Sequence, residues 1–461
     1  MGAGPVVDGQ VGCQVPNHLW VPQYDRSVGD KCVEFLDAVG IHLDEWQQFC
    51  LRESLGIKQG GKWSAKEVAL MTPRQNGKTL ITEARELLGL FLLNEKLIIH
   101  CLATDTPVLT VAGWKQIVDV GPGDYVFHPS GKPIAVTGKS PVWLRQNCFR
   151  VTTTDGRELI ADADHSWIVT DRRQSISRGP RGRAERGFKT LTLTTKEMYE
   201  LGVERYPDRR VKGYRFTLPR QGVLQLPERD DLPIDPYLLG AWLGDGASYH
   251  GVITASAADA PWWEGEVARL GYRVGNNKHS NRVSVPGLVA QLKELGVYKN
   301  KHIPERYLRA SPGQREALLQ GLMDADGTTS NGRAGFVNTN RQIAEGVLFL
   351  ARSLGWRAVM SVSDGSGSGF KATVPQYRVA WMPKLDDEFC PVRMPRKVAN
   401  LVPAPNFRED GRFTVSVKSI EPVESVPVSC ITVDAEDSLF LAGEGLIPTR
   451  NSAQLFATAH E

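Results

Sequence analysis

The pattern of the sequence changes abruptly at residue 101. Before it, apolar residues at helical spacing and two apolar runs, EVALM and LIIH, flank the segment TPRQNGKT, which is typical of an α/β domain. From Cys101 the chain is β-rich, with short alternating runs separated by Gly, Pro and Asp. This pattern fades near Thr170 and returns at about Arg412, and an α/β segment, residues 233–357, lies between. The simplest organisation is an all-β module that is split by an inserted domain and that itself interrupts an α/β domain.

The composition excludes several classes of protein. A chain of 461 residues with 41% hydrophobic and 23% charged residues is neither disordered nor fibrous and is long enough for several globular domains. Its longest apolar stretch, residues 87–93, is far shorter than the roughly 20 residues of a membrane helix, and its N-terminus has no secretory signal pattern. The seven cysteines form no CxxC pair, which argues against a zinc site or a disulfide framework. We therefore expect a cytoplasmic protein with reduced thiols and no membrane partner. We also expect it to be a monomer.

The segment Thr72–Thr79, TPRQNGKT, predicts a phosphate-binding loop, because it lies between an apolar strand and a helical run. In such a loop the backbone N–H groups bind phosphate, the lysine contacts the β and γ oxygens, and the hydroxyl binds magnesium. The usual first glycine is Thr72 here, so an ordinary turn is the alternative interpretation. The predicted phosphate-binding residues, which would use ATP, are Arg74, Gly77, Lys78 and Thr79.

The residues at the two borders of the β module carry complementary chemistry. Cys101 begins the module, Asn451 ends it, and Ser452 follows directly. A thiol can attack the carbonyl that precedes it and convert an amide into a thioester, and an asparagine side chain can cyclise onto its own carbonyl and cleave the chain. A hydroxyl after that asparagine can accept the acyl group. Together these steps would excise residues 101–451 and join His100 to Ser452.

Three motifs in this segment resemble the splicing blocks of inteins, which are self-splicing protein elements. They are CLATDTPVLTVAGWKQIVDVGPGDYV at the start, DGRELIADADHSWIV around His165, and SCITVDAEDSLFLAGEGLIPTRN at the end. The resemblance implies an all-β Hint (intein splicing) fold that needs no cofactor. It also implies that His165 hydrogen-bonds the scissile amide between His100 and Cys101 and protonates the departing amine, for which an imidazole is suited near neutral pH.

The chain departs from the usual intein pattern at three positions. Asp162 replaces a threonine three residues before the block histidine, Arg450 replaces the penultimate histidine, and Cys430 replaces an aspartate. A guanidinium stays protonated, so Arg450 has no role as a proton shuttle. We expect Asp162 to support splicing.

The cysteine at position 430 resembles one branch of the family, in which a cysteine at this place is the first nucleophile. That branch is marked by Trp167, two residues after the block histidine, and by Thr449, two residues before the terminal asparagine. Its members usually lack a nucleophile at the first position, yet Cys101 is present. Two routes remain: Cys101 forms a linear thioester, or Cys430 attacks the same carbonyl directly. We favour Cys430, whose alternative role is that of a small buried apolar residue.

Two segments of the inserted domain share one plan, LLGAWLGDG at residues 238–246 and LQGLMDADG at residues 319–327. Both place small residues on an apolar helix that ends in an acid followed by glycine. Small residues let two helices pack closely, so Asp245 and Asp326 would meet at the end of the pair. Two carboxylates there are suited to bind Mg²⁺, which activates water for phosphodiester hydrolysis.

These segments resemble the paired motifs of LAGLIDADG (DOD-type) homing endonucleases, an α+β family. The resemblance implies double-stranded DNA as the partner, and KHIPERYL matches a block in which Lys301 lies close to the active site. An inactive copy with Asp245 and Asp326 as ordinary helix-terminal acids is the alternative. Residues 171–189 hold seven basic and two acidic residues, which predicts a flexible arm on DNA phosphates or a solvated loop.

Without the insert, the flanks join as LIIHSAQLFATAHE and, with LDEWQQFCL and TPRQNGKT, resemble the ATPase of a phage terminase large subunit. We expect this host segment to be truncated, because no acidic Walker B strand follows. The leading hypothesis is therefore a self-splicing intein that bears a DNA endonuclease; a splicing-deficient homing endonuclease is the second and a DNA-packaging ATPase the third. The predicted boundaries are 1–100 and 452–461 for the host, 101–232 and 386–451 for the splicing module, and 233–385 for the endonuclease.

Overall fold

The structure, a computed structural model, divides the chain into two compact units, residues 1–98 and 99–461. The residues that it describes are 16–59, 63–65, 68–70, 80–81, 84–85, 88–89, 101–178, 185–206, 213–275, 281–363, 374–383, 388–402 and 414–450. No described helix is long and apolar enough to cross a membrane.

In the part of the first unit that the structure describes, helices α1 (Gly29–Ala38) and α2 (Glu45–Ser54) accompany a short two-stranded sheet, and residues 80–81, 84–85 and 88–89 are also helical. Strand β1 (Arg26–Ser27) pairs antiparallel with β2 (Gly56–Ile57), and α1 and α2 lie between them in the chain. The predicted phosphate-binding residues Arg74, Gly77, Lys78 and Thr79 lie outside the described residues. The predicted P-loop ATPase segment is therefore not shown.

The first part of the β module consists mostly of short strands, as the alternating pattern predicted, and also contains two longer ones. Its elements are β3 (Leu102–Ala103), β4 (Pro107–Thr110), β5 (Gly113–Gln116), a 3₁₀ turn (Ile117–Asp119), β6 (Tyr125–Phe127), β7 (Pro133–Lys139), β8 (Cys148–Thr153), β9 (Glu158–Asp162), β10 (Ser166–Arg178), β11 (Glu185–Thr194), α3 (Thr195–Leu201) and β12 (Phe216–Thr217).

Mixed helices and strands follow, and then the chain returns to short strands. The mixed elements are α4 (Pro236–Asp245), β13 (Val252–Thr254), α5 (Ala260–Arg269), β14 (Arg282–Ser284), α6 (Leu288–Glu294), α7 (Glu305–Leu308), α8 (Pro312–Asp326), β15 (Gly327–Ser330), β16 (Arg333–Asn338), α9 (Arg341–Ser353), β17 (Val359–Ser363), β18 (Gln376–Trp381) and α10 (Pro395–Ala399). The returning strands are β19 (Val417–Val423), β20 (Val428–Ser429), β21 (Ile431–Val433), β22 (Leu439–Ala442) and β23 (Ile447–Arg450).

The β strands on either side of the insert form common sheets. One sheet has the order β19-β8-β9-β3-β20 and another the order β21-β7-β6-β4-β5. Strands β19, β20 and β21, which follow the insert, pair antiparallel with β8, β3 and β7, which precede it. The two segments therefore build one β module, and this pairing brings residues near position 430 to the start of the module.

The inserted domain is organised around the closely packed helices α4 and α8. A Cβ atom on Gly240 would lie 2.9 Å from the backbone nitrogen of Leu322, and one on Gly321 would lie 2.7 Å from the backbone nitrogen of Ala241. Any larger side chain at either glycine would therefore clash with the backbone of the other helix. The four-stranded sheet β15-β16-β18-β17 follows α8, and α9 contributes buried apolar residues to the same core.

Two segments differ from the expectations. Val392, Met394 and Leu401 are buried in the core of the inserted domain, although the predicted boundary assigned residues 386–451 to the splicing module. The arginine-rich stretch, expected as a flexible arm or a solvated loop, has its described backbone in the long antiparallel hairpin β10–β11, with a register shift between Asp171 and Ser175.

Candidate functional site

The start of the β module is enclosed, and its amide faces a carboxylate. Cys101 is buried, and its backbone N–H donates to Oδ2 of Asp162 at 2.9 Å. The carbonyl of Cys101 accepts the backbone N–H of Asp162 at 3.0 Å. Leu102 on β3 pairs with Ala161 on β9, and this register places Asp162 beside the first residue of the module. The sheet thus holds the predicted scissile amide against a buried acid.

The two candidate nucleophiles lie side by side. The thiols of Cys101 and Cys430 are within hydrogen-bond reach, and this hydrogen bond, together with burial, raises the pKa of Cys101. Cys430 is fixed by Ser140, whose hydroxyl oxygen accepts the Cys430 backbone N–H at 2.9 Å. Cys148 and Val428 complete a small buried cluster around both thiols. The structure therefore brings together the two cysteines that the sequence left as alternatives.

Asp162 has an unusual environment for a carboxyl group. Burial raises its pKa to about 7, and the nearby charge of Asp164 acts in the same direction. The backbone N–H groups of Cys101, His165 and Asp164 lower the pKa and offset part of this effect. The group consequently changes its protonation state in the neutral range, where proton transfer is most effective.

His165 is fully buried and points toward the other end of the module. Its Nε2 atom is hydrogen-bonded to Oγ1 of Thr449 on β23. Its ring lies edge-on to the ring of Trp167, with 5.1 Å between the two ring centroids. The Trp167 indole N–H donates to Oγ1 of Thr195 at 2.9 Å. The sequence predicted this trio of His165, Trp167 and Thr449, and the structure brings it together. However, the scissile N–H that the resemblance assigned to His165 is donated to Asp162.

The last described residue of the module is Arg450. Its Nε donates to the backbone carbonyl of Asp437 at 3.2 Å, and it pairs with Leu439 across β22 and β23. The predicted residues Asn451 and Ser452 lie outside the described residues. Of the predicted splicing residues that the structure describes, Thr449 is the one closest in the chain to Asn451.

The second site lies at the C-terminal ends of the packed helices α4 and α8. Asp245 ends α4 and Asp326 ends α8, as the two motifs predicted. Burial raises the pKa of both carboxyls, and the charge of Asp245 helps to raise that of Asp326 to about 6. The two carboxylates therefore repel each other across a half-buried space.

Two lysines occupy equivalent positions around the acids. Nζ of Lys301 donates to the carbonyls of Trp242 and Leu243 at 2.9 and 3.0 Å, three and two residues before Asp245. Nζ of Lys397 donates to the carbonyls of Met323 and Asp324 at 2.7 and 2.8 Å, three and two residues before Asp326. Burial lowers the pKa of Lys301 to about 8 and also lowers that of Lys397.

Sequence reasoning identified Lys301 but missed Lys397. The similarity of the two motifs could have revealed Lys397. Because Lys301 follows Asp245 in the chain, a second lysine is expected after Asp326. Both ammonium groups lie at the C-terminal end of a helix, where the helix dipole favours positive charge.

The donors present fit a divalent cation. Within the described ranges, no group of three or more His, Cys, Asp or Glu residues is suited to hold a metal ion. Asp245 and Asp326 nevertheless form a pair of oxygen donors whose mutual repulsion a divalent cation would relieve. Magnesium retains several water ligands, so it needs only one or two carboxylates from a protein.

Comparison with known proteins found a matching family model, similar curated proteins and similar solved structures. Residues 302–378 match the family model "Homing endonuclease". A replicative DNA helicase DnaB of Mycobacterium intracellulare is 35% identical over 363 residues, which cover 76% of this chain and 58% of that protein. The chain thus spans less than two thirds of this curated relative. Similar solved structures include the MchDnaB-1 intein (16% identity, 76% of this chain and 99% of that one, TM-score 0.23) and I-DmoI in complex with DNA and Mn (22%, 32% and 89%, TM-score 0.24).

The predicted homing endonuclease is confirmed by its family model. Intein splicing domains are also among the similar solved structures. The predicted terminase host is not supported, because the curated relatives that match are replicative DNA helicases.

Proposed function

We propose that residues 101–451 are a self-splicing intein that carries a site-specific, double-strand DNA endonuclease. The observation that carries the splicing part is the arrangement at the start of the β module. Two thiols lie in contact beside an amide N–H, and that N–H is bound by a buried carboxylate with a pKa of about 7. A buried apolar cysteine pair would not need an acid on the adjacent backbone amide.

The reaction begins with attack of a thiol on the carbonyl of His100, which converts the scissile amide into a thioester. Ser452 then accepts the acyl group, Asn451 cyclises, and the ester between the two flanks rearranges to an amide. The contact between Cys101 and Cys430 suits either thiol as the first nucleophile, and we favour Cys430. Trp167 and Thr195 fix the ring of His165, which is hydrogen-bonded to Thr449 near the second cleavage point.

A gel of the freshly expressed chain tests splicing. We expect the 50.9 kDa precursor to yield an excised insert of residues 101–451 and a ligated product of the two flanks. Persistence of the precursor alone would favour the second candidate, a splicing-deficient homing endonuclease, which the replacement of the usual penultimate histidine by Arg450 motivates. If Cys101→Ala stops splicing and Cys430→Ala does not, direct attack by Cys430 is refuted.

For the endonuclease we propose Asp245 and Asp326 as ligands of Mg²⁺, which when bound would activate water and neutralise charge on the phosphate. Lys301 and Lys397 lie next to the two acids and supply positive charge beside the scissile phosphate. Both acids and both lysines come from one chain, which supports a monomeric enzyme. Magnesium-dependent cutting of DNA that encodes the joined flanks, and its loss in Asp326→Asn, tests this assignment.

We assign the similarity to the helicase relative to the insert and infer no helicase activity from it. The matched share, 76% of 461 residues, corresponds to about 350 residues, and residues 101–451 have nearly this length. An element that excises itself leaves its host protein intact, so the same element can occupy different host genes.

A further inference from the structure

We infer that Asp162 is a catalytic residue of the first splicing step, in which it carries the proton from the attacking thiol to the nitrogen of Cys101. This inference rests on the proposed splicing function and adds a residue and a proton path to it. The resemblance to inteins gives the task of protonating the amine to the block histidine. In this chain a carboxyl group has the contact with the scissile N–H.

The geometry provides direct access to the reacting atom. Oδ2 of Asp162 accepts the N–H of Cys101 at 2.9 Å, within the range from which a proton is transferred. The backbone N–H of Asp162 binds the Cys101 carbonyl at 3.0 Å, so one residue holds the cysteine at both its amide and its carbonyl. His165, three residues later, is hydrogen-bonded through Nε2 to Thr449 at the other end of the module.

The step balances without any other reactant. The carboxylate of Asp162 takes the proton of the attacking thiol, and the sulfur bonds to the carbonyl carbon of His100. As the bond between that carbon and the Cys101 nitrogen breaks, the nitrogen receives the same proton from Asp162. The products are a thioester and a free amine, and the carboxylate is regenerated. The balance is the same for the thiol of Cys101 and for that of Cys430.

The environment keeps this carboxyl group suited to both halves of the transfer. An ordinary exposed aspartate, with a pKa near 4, is a weak base toward a thiol and is rarely protonated at neutral pH. Burial raises the pKa of Asp162 to about 7 and so increases its basicity. The ionisable groups that face it are Cys101 before β3, Cys148 on β8, Cys430 beyond Cys101, and Asp164 and His165 in its own turn.

The sign of the pH dependence follows from this starting state. The reaction begins with Asp162 ionised, because a protonated carboxyl group accepts no proton from the thiol. We expect the rate of the first cleavage to fall about tenfold per pH unit below about pH 7 and to level off above it.

The experiment measures release of the N-terminal flank by hydroxylamine from the full chain, in which Asn451→Ala blocks the later step. Asp162→Asn keeps an oxygen that accepts the Cys101 N–H but removes the proton carrier. We expect the rate at pH 7.5 to fall at least about 100-fold, as loss of a general acid–base catalyst does, and the inflection near pH 7 to disappear. A purely structural hydrogen bond would be retained by asparagine with little change in rate.

Asp164→Asn is the matched control. It removes a charge from the same turn without removing the proton carrier, so the rate above pH 7 should stay within about threefold while the inflection moves to lower pH. Unchanged thermal melting and DNA cleavage check that Asp162→Asn is folded.

Two results have different meanings. If the parent chain releases no N-terminal flank, the proposed splicing function fails. If the parent chain cleaves, and the cleavage rate of Asp162→Asn lies within threefold of the parent rate with the same pH profile, only the role of Asp162 is refuted. His165 then becomes the proton donor.

Discussion

Replacing Gly321 by alanine tests how closely the two motif helices must pack. A Cβ atom there would lie 2.7 Å from the Ala241 nitrogen and closer still to the Tyr237 carbonyl oxygen, and both atoms are backbone. Because neither side can rotate away, α4 and α8 must separate by about 1 Å, which overpacks the core at a cost of about 3 kcal/mol. For a domain of this size, that lowers its melting temperature by about 6–12 °C. The same displacement moves Asp326 relative to Asp245, and about 1 Å of misplacement reduces a catalytic rate about 100-fold.

The assay combines calorimetry of the splicing-blocked chain with cleavage of DNA that encodes the joined flanks. The matched control is Gly265→Ala in the exposed part of α5, where an added Cβ meets no atom within 4 Å. That substitution should stabilise the domain by up to about 1 kcal/mol and leave cleavage unchanged. Wild-type melting and cleavage in Gly321→Ala would refute the reasoning about the helix contact.

Three further predictions concern the two sites. Because the pKa of Asp326 is raised to about 6, its carboxylate is the main form only above that pH; calorimetric titration should show Mg²⁺ affinity falling about tenfold per unit below pH 6 and little change above it. Lys397→Met and Lys301→Met should each reduce DNA cleavage at least about 100-fold, since both ammonium groups flank the acids; a cleavage assay showing an effect of the Lys301 substitution alone would contradict their equivalence. Thr449→Val removes the partner of His165 Nε2 and should slow asparagine cyclisation about tenfold or more, measured as release of the C-terminal flank, while hydroxylamine-induced release of the N-terminal flank stays within a few-fold.

The sequence by itself predicted the chemistry at the borders and the two acidic motifs. Splicing needs particular residue types at fixed places in the chain, so Cys101 can be recognised as a candidate from the sequence without knowledge of the fold. Likewise, the sequence contains two copies of an apolar helix with a small residue and a terminal acid, which predicts that Asp245 and Asp326 meet. The packing of α4 on α8 confirms the close approach of the two helices.

The tertiary structure alone decided the contacts between residues far apart in the chain. Antiparallel pairing of β20 with β3 brings Cys430 to Cys101, and pairing of β3 with β9 brings Asp162 to the backbone amide of Cys101. Lys397 follows the sheet of the inserted domain and reaches back to the end of α8. No local pattern encodes these contacts, because they depend on sheet register and on the burial that register creates. The same burial turns Asp162, a departure from the usual pattern in the sequence, into a carboxyl group with a pKa of about 7.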